Sequence, residues 1–294
     1  MHTLNRAGDA PHRCVALETT LLLHGIPKSG APALNADLAS VCAARGAKAL
    51  LCGIIAGVPV AGLTPEELTQ LLGAWHVEKA NTSNLGLLMH RRAHGATTVS
   101  ATMELAASAG ARVFATGGLG GVHPGLDEAW DVSADLGAFT RFPVAVVCSG
   151  VKGLLDVVST REMLETLGIP VVGFGADAFP AFYRRESGAK VDARFDDPGD
   201  LAAYLALETR RTGRGVVVCN PIAESDEIAA TDWDHWLKDA LRRVPDGTRG
   251  RAVTPALLGL LHEVSGGATL RANLALVRSN TDLAAKIAAA WPAP

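Results

Sequence analysis

The stretch Val144-Ala145-Val146-Val147-Cys148-Ser149-Gly150-Val151-Lys152 decides the fold. A short, uninterrupted run of small and β-branched apolar residues ends on Ser-Gly and then a lysine. A half-buried strand alternates polar and apolar residues. A continuous run belongs to a strand covered on both faces, as in a parallel sheet between helices. Similar runs stand at residues 15–17, 49–55, 112–115, 170–174 and 216–219, separated by longer stretches of helical pattern. This alternation predicts an α/β fold, a layered αβα arrangement with a largely parallel or mixed central sheet and helices on both faces.

The helical stretches announce their own ends. Thr64-Pro65-Glu66-Glu67 supplies the N-cap hydroxyl, N1 proline and N3 glutamate of a capping box, opening a helix that runs to about Leu72. Ser159-Thr160-Arg161-Glu162 predicts another start on the same logic, closed by Gly168. Thr254-Pro255 opens a helix that stops before Gly266-Gly267, and a last helix runs from about Thr269 to Ala290. No repeat, low-complexity tract or linker divides the chain. It reads as one domain, 1–294, with residues 1–12 a disordered or loosely packed N-terminus. The most polar stretch, 184–200, reads as an excursion or a mobile loop.

Composition narrows the function classes. Apolar residues make up 48% and charged ones 19%, so the chain is core-rich and globular. A net charge of −3 and 5% aromatics leave neither a phosphate-attracting surface nor stacking platforms, so no nucleic-acid partner is expected. The longest apolar run, 49–63, is broken by Gly53, Gly57, Pro59 and Gly62 and is shorter than the roughly 20 residues of a spanning helix. No basic segment and apolar core open the chain as a secretion signal does, so neither a membrane nor export is expected. Cys14, Cys42, Cys52, Cys148 and Cys219 are odd in number, scattered and without a CxxC pair. They read as small buried hydrophobes of a cytoplasmic protein.

In open α/β sheets ligands bind outside the carboxyl ends of the strands, so the residues just after each apolar run are the ones to inspect. There stand Glu18-Thr19-Thr20, Thr116-Gly117-Gly118, Ser149-Gly150-Val151-Lys152 and Asn220-Pro221. A carboxylate, a glycine loop, a lysine and an amide would then converge on one rim. The glycine-rich segment from Thr116 to Gly125 matches neither a dinucleotide fingerprint nor a Walker loop. Its backbone N–H groups can form an anion nest, or the segment can be a plain flexible turn. Asp127, Glu128, Asp131 and Asp135 follow. If that segment is helical, Asp131 and Asp135 share a face and can hold a hard cation and move a proton, or they form an ordinary solvated face. Lys152 is either a loop lysine or, partly desolvated behind a buried strand, a nucleophile for a carbonyl or anomeric carbon. His24 and His123 stand beside glycine or proline in loops, as site residues or ordinary ones.

Taken in order, these segments resemble the pseudouridine-5′-phosphate glycosidases, the group that includes the indigoidine-cluster protein A. The likeness is carried by residues 15–20 with His24-Gly25, by Gly95-Ala96-Thr97-Thr98-Val99, and by residues 113–123. Asp131-Val132-Ser133-Ala134-Asp135-Leu136, residues 148–152, Asn220-Pro221-Ile222 and Asn273 continue it, so that it spans about residues 13 to 290. The resemblance implies a homotrimeric α/β enzyme that uses manganese, one Mn²⁺ per subunit. It would convert pseudouridine 5′-phosphate and water, reversibly, to uracil and ribose 5-phosphate. By matching positions, Lys152 would form a Schiff base with the ring-opened ribose, Glu18 would donate a proton, and Asp135 would complete the catalytic set. Asp131 would bind the metal. Lys79, Val99, Thr116, His123, Ser133, Ala134 and Asn273 would contact the substrate, Asn273 at the base.

The sequence departs from the family pattern in places. Lys79-Ala80 is followed by Asn81-Thr82-Ser83-Asn84 where the family usually carries Ser-Arg-Arg-Asp after the lysine. Leu23 replaces a hydroxyl residue before His24, and Ala223 replaces a proline after Ile222. These changes bear on phosphate grip, base specificity and trimer contacts, and spare Glu18, Asp131, Asp135 and Lys152. They motivate an alternative within the family, a C-glycosynthase or C-glycosidase joining ribose 5-phosphate to a different, aromatic aglycone. A non-catalytic sugar-phosphate-binding protein is the reading from another class. A Rossmann dehydrogenase is disfavoured because no GxGxxG follows a strand.

Overall fold

The computed structural model describes residues 3–125, 130–245 and 253–293. The strands, in chain order, are β1 (Leu4–Asn5), β2 (Cys14–Glu18), β3 (Lys48–Ile55), β4 (Val58–Ala61), β5 (Glu78–Ala80), β6 (Gly95–Thr97), β7 (Val113–Ala115), β8 (Ala145–Cys148), β9 (Val171–Phe174), β10 (Ala193–Phe195) and β11 (Val216–Cys219). Among the described residues they form one eleven-stranded sheet, ordered β1-β4-β3-β2-β7-β8-β11-β9-β10, with β5 and β6 branching from β3. The β4 and β6 pairings with β3 are antiparallel and the others parallel, so the sheet is mixed but largely parallel, as its apolar runs predict. Every residue of β8 and β11 is buried, which is why these strands read as unbroken Val/Ala/Cys runs.

The helices are α1 (Ala31–Ala44), α2 (Pro65–Gly73), α3 (Leu85–His90), α4 (Val99–Ser108), α5 (Ala134–Phe139), α6 (Val157–Thr166), α7 (Pro198–Thr212), α8 (Ala230–Arg243), α9 (Val253–Val264) and α10 (Ala268–Ala290). α10 packs on β2, β7 and β8 and against α1 and α7, while α4 packs on β2, β3 and β7 and carries α5 against it. The capping box at α2 forms as read: the Thr64 hydroxyl accepts from Glu67 N, and the Glu67 carboxylate accepts from Thr64 N.

Three local expectations change. Asp156, not Ser159, caps α6, because its carboxylate accepts from the N–H and hydroxyl of Ser159 and the helix starts three residues sooner. The N-terminal segment is tied down where it was expected to be loose. Leu4 and Asn5 pair with Val60 and Ala61, and Arg6 forms an ion pair with Glu67 at 2.6 Å. The polar stretch 184–200 includes the edge strand β10, and its Asp192 carboxylate accepts from Arg161 and from Val171 N. Two- and three-residue strands carry no legible periodicity, so the sequence could not announce them.

Candidate active site

The carboxyl ends of β2, β7 and β8 lie side by side and deliver Glu18, Thr116 and the Ser149-Gly150 turn to one rim. β3 runs past that rim, and β6 folds back antiparallel along it with β5 alongside. Threonines fasten the return: Thr97 N donates to the Thr19 hydroxyl, and the Thr20 hydroxyl donates to Thr97 O at 2.7 Å. The antiparallel branch therefore brings Lys79 and Thr98 across from Glu18.

The rim encloses a polar outer chamber of about 360 Å³, lined by Lys79, Asn81, Ser83, His123, Asp131, Ser133, Ala134 and Asp135 among others. A narrower inner chamber of about 60 Å³ is lined by Leu21, His24, Thr116, Phe182, Leu258 and Asn273. Glu18, Thr20, Lys79 and Lys152 line both, standing where the two meet.

The electrostatics at that junction favour proton transfer. Burial pushes the Glu18 carboxyl above the usual carboxylate range; Lys152, the Thr116 hydroxyl and Lys79 oppose the rise, and Asp135 adds to it. Burial, with Lys152 nearby, pulls the Lys79 ammonium down to about 8, against the attraction of Glu18. His24 is lowered by burial and then by Lys79 and Lys28, so the inner chamber presents a neutral imidazole near neutral pH. A carboxyl whose burial favours its protonated form, with two lysines on the same wall, can protonate a leaving carbon and attack an electrophilic one.

Asp131 and Asp135 do not share a helical face. Ser133 caps α5, so Asp131 lies before the helix and Asp135 in its first turn. Nor is Asp135 solvated: it is buried, and its two carboxylate oxygens accept from Ser100 N at 3.0 Å and Gly120 N at 2.9 Å. That contact explains Gly120, where a Cβ would stand 2.3 Å from the Ser133 hydroxyl. The glycine loop is also not a bare nest. The N–H groups of Leu119, Gly120, Val122 and His123 donate to Gly150 O, Asp135, Thr160 and Asp131 O, respectively. Asp127 and Glu128 lie outside the described residues.

His123 Nδ1 stands 4.0 Å from an Asp131 carboxylate oxygen, both facing the outer chamber. Among the described residues no three His, Cys, Asp or Glu side chains gather as a closed metal cage. The pair does suit a hard divalent ion bound through one carboxylate, with water and substrate oxygens filling its shell.

Most residues singled out in the sequence meet here. Val99 does not line either chamber: its side chain is buried in the first turn of α4, and its neighbour Thr98 faces the cavity instead. Asn220 reaches the rim but turns to α10. Sequence reasoning quoted Thr20, Asn81, Ser83 and Thr98 within longer segments without giving them a site role, and missed Phe182 and Leu258 altogether. Thr98 and Asn81 follow the short strands β6 and β5 and would have been found had those strands been readable. Phe182 gave no signal; it takes a left-handed φ of 62° to place its ring on the inner wall.

Residues 3–290 match the family model of indigoidine synthase A like proteins. A pseudouridine-5′-phosphate glycosidase of Nocardioides sp. is 45% identical over 276 residues, 93% of this chain and 90% of the relative. One from Solibacter usitatus is 42% identical over 288 residues, covering 97% and 96%. Among solved structures, an indigoidine synthase A-like protein of Thermotoga maritima superposes with a TM-score of 0.89 at 35% identity, covering 98% of this chain and 96% of that one. The prealnumycin C-glycosynthase AlnA, solved in complex with ribulose 5-phosphate, superposes with a TM-score of 0.88 at 30% identity, covering 99% and 97%.

Proposed function

This chain belongs to the family of indigoidine synthase A-like proteins, and on that premise we propose that it is a pseudouridine-5′-phosphate glycosidase, cleaving the C–C glycosidic bond reversibly to uracil and ribose 5-phosphate. The observation that carries the reading is the junction itself. Lys152 and the buried Glu18 carboxyl, its pKa raised by burial, stand where a polar outer chamber meets an inner one that ends on the Asn273 amide. A sugar phosphate fits the first and a single-ring base the second.

The C–C bond offers no heteroatom to protonate, so the paired-carboxylate route of O-glycosidases does not serve. Attack of the neutral Lys152 amine on C1′ forms a C1′–N bond and breaks C1′–O4′, and the proton shed by the nitrogen ends on O4′. The nitrogen lone pair then expels the base carbon, which takes its proton from Glu18, and the sugar remains as an iminium that water hydrolyses. Lys79, Asn81, Ser83, Ser133 and Ala134 face the phosphate end. Asn273 meets the base, Thr116 holds Glu18 and His123 borders the sugar. Asp135 takes part by fixing the Gly120 turn beside Lys152, and Val99 contributes only backbone.

Asp131, with His123 beside it, would hold one Mn²⁺ per subunit, and the ion would supply positive charge to an anionic substrate. We place the enzyme in the cytoplasm, supported by five buried free cysteines, and as a homotrimer, as the family resemblance implies; the exposed Trp75 and Trp130 are apolar surface available to a partner subunit. Among the described residues no helix is long and apolar enough to cross a membrane.

Incubation with pseudouridine 5′-phosphate and Mn²⁺ should release uracil, and chelation should suppress it. Borohydride with ribose 5-phosphate should reduce an iminium on the peptide carrying Lys152, and sedimentation should give the trimer mass. Absence of both uracil release and reverse coupling would sink the reading. Coupling only to larger aromatic acceptors would instead identify a C-glycosynthase, against which the narrow inner chamber argues.

A further inference from the structure

α10 carries Asn273 and Asn280 two turns apart on one face. Asn273 lines the inner chamber, whereas Asn280 is wholly buried and lines neither chamber. Its amide is fully engaged. Nδ2 donates to Thr116 O at 2.8 Å and to the Ser149 hydroxyl at 3.1 Å, with Gly117 O at 3.4 Å. Oδ1 accepts from Asn220 Nδ2 at 2.9 Å. The Ser149 hydroxyl closes the ring by donating to Asn220 O at 2.9 Å. Thr116, Ser149 and Asn220 are the first residues past β7, β8 and β11. One side chain thus ties together three strand ends, using both ends of an amide, which a hydroxyl or carboxylate cannot imitate.

Two of those ends lead to the reacting groups. The Thr116 hydroxyl donates to the Glu18 carboxylate. Past Ser149, Gly150 O accepts from Leu119 N, and Lys152 N donates back to Leu119 O at 3.1 Å. We infer that Asn280 is a positioning residue of the active site, fixing the β7 and β8 ends so that Glu18 and Lys152 flank the substrate at a set separation. It acts through Thr116 and Ser149 and does not touch the substrate. Glu18 also feels Lys152, Lys79 and Asp135, none of which bonds to Asn280. Loosening Asn280 therefore reaches Glu18 through the Thr116 bond, which holds its acidity up.

The kinetic part of the test rests on the functional reading above; a substrate-free titration does not. Asn280→Ala removes every amide bond of the ring and leaves only the Ser149–Asn220 bond, and Asn280→Asp sets a carboxylate oxygen against Thr116 O while keeping the acceptor for Asn220. Both should lower kcat for pseudouridine 5′-phosphate by about a hundredfold, with KM within about threefold, since the outer chamber is untouched. The alkaline limb of kcat should move up by about half a unit or more as the Thr116–Glu18 bond weakens. The Glu18 carboxyl, followed without substrate by ¹³C NMR and assigned with Glu18→Gln, should shift the same way. If Asn280→Ala fails to fold, Ser149→Ala should give a smaller shift in the same direction. A folded variant whose kcat profile and Glu18 titration overlay those of the wild type overturns the inference. A wild type that releases no uracil overturns the functional reading and leaves the Glu18 titration to decide this one.

Discussion

Lys79 shows how a single side chain trades stability for chemistry. Its ammonium sits in a partly desolvated wall with Lys152 close by and titrates at about 8 instead of 10.5. The folded chain releases this proton before the unfolded chain does. The unfolded state therefore holds more protons across pH 8 to 10.5, stability rises through that window, and the cost of the buried charge is fully present below it. Lys79→Met should raise stability at pH 7 by about 1–3 kcal/mol, with the gap to wild type closing by pH 10.5. It should also cut kcat/KM for the phosphorylated substrate by about a hundredfold. Melting curves at the two pH values check the first claim, and a variant less stable at pH 7 contradicts it. Glu18 and Lys152 were legible in the sequence because each stands at or just past the end of a short, unbroken apolar run. The surroundings that tune the Glu18 carboxyl were not, because Lys79, Thr116 and Asp135 come from β5, the end of β7 and α5, far away in the chain.

At the scale of elements, turns matter more to the site than helix ends do. Gly150 has φ +73°, and a Cβ there would stand 1.8 Å from Pro180 O, a backbone atom that cannot swing aside. Gly150→Ala should therefore cost about 3 kcal/mol or more and abolish cleavage in whatever fraction folds, since the turn carries Lys152. Thr64→Ala, which breaks the capping box of α2, should cost about 1 kcal/mol and leave kcat unchanged. Urea denaturation of both variants, with kcat measured on the folded protein, distinguishes a turn that builds the site from a cap that only holds a helix. The capping box was readable because all its bonds fall within four residues. The cap of α6 was misread because Asp156 and Ser159 both offer side-chain oxygens, and only the path of the chain after Lys152 selects between them. Asp131 and Asp135 failed as a helical pair for a related reason: the Val122–Val132 bridge keeps the chain extended up to Ser133.

Across the whole molecule, the sheet buries every cysteine. Burial raises all five thiols, with Cys42, Cys52 and Cys148 pushed up to about 12. The native protein should thus resist iodoacetamide at pH 8 and take up five equivalents only in denaturant, by intact mass. Rapid alkylation of the native protein would show that the sheet opens. The sequence by itself determined the layered α/β class, the main strands and helices, and the rim residues Glu18, Thr116 and Lys152. Those features are written locally, in apolar runs, caps and strand ends, where neighbouring residues suffice to specify them. Only the tertiary structure decided that β5 and β6 fold back against β3 and bring Lys79 to Glu18. It alone set Asp135 on the N–H groups of Ser100 and Gly120, and Asn280 beneath three strand ends. Such contacts join residues tens or hundreds of positions apart. They follow from strand order and helix packing, which no local pattern in the chain encodes.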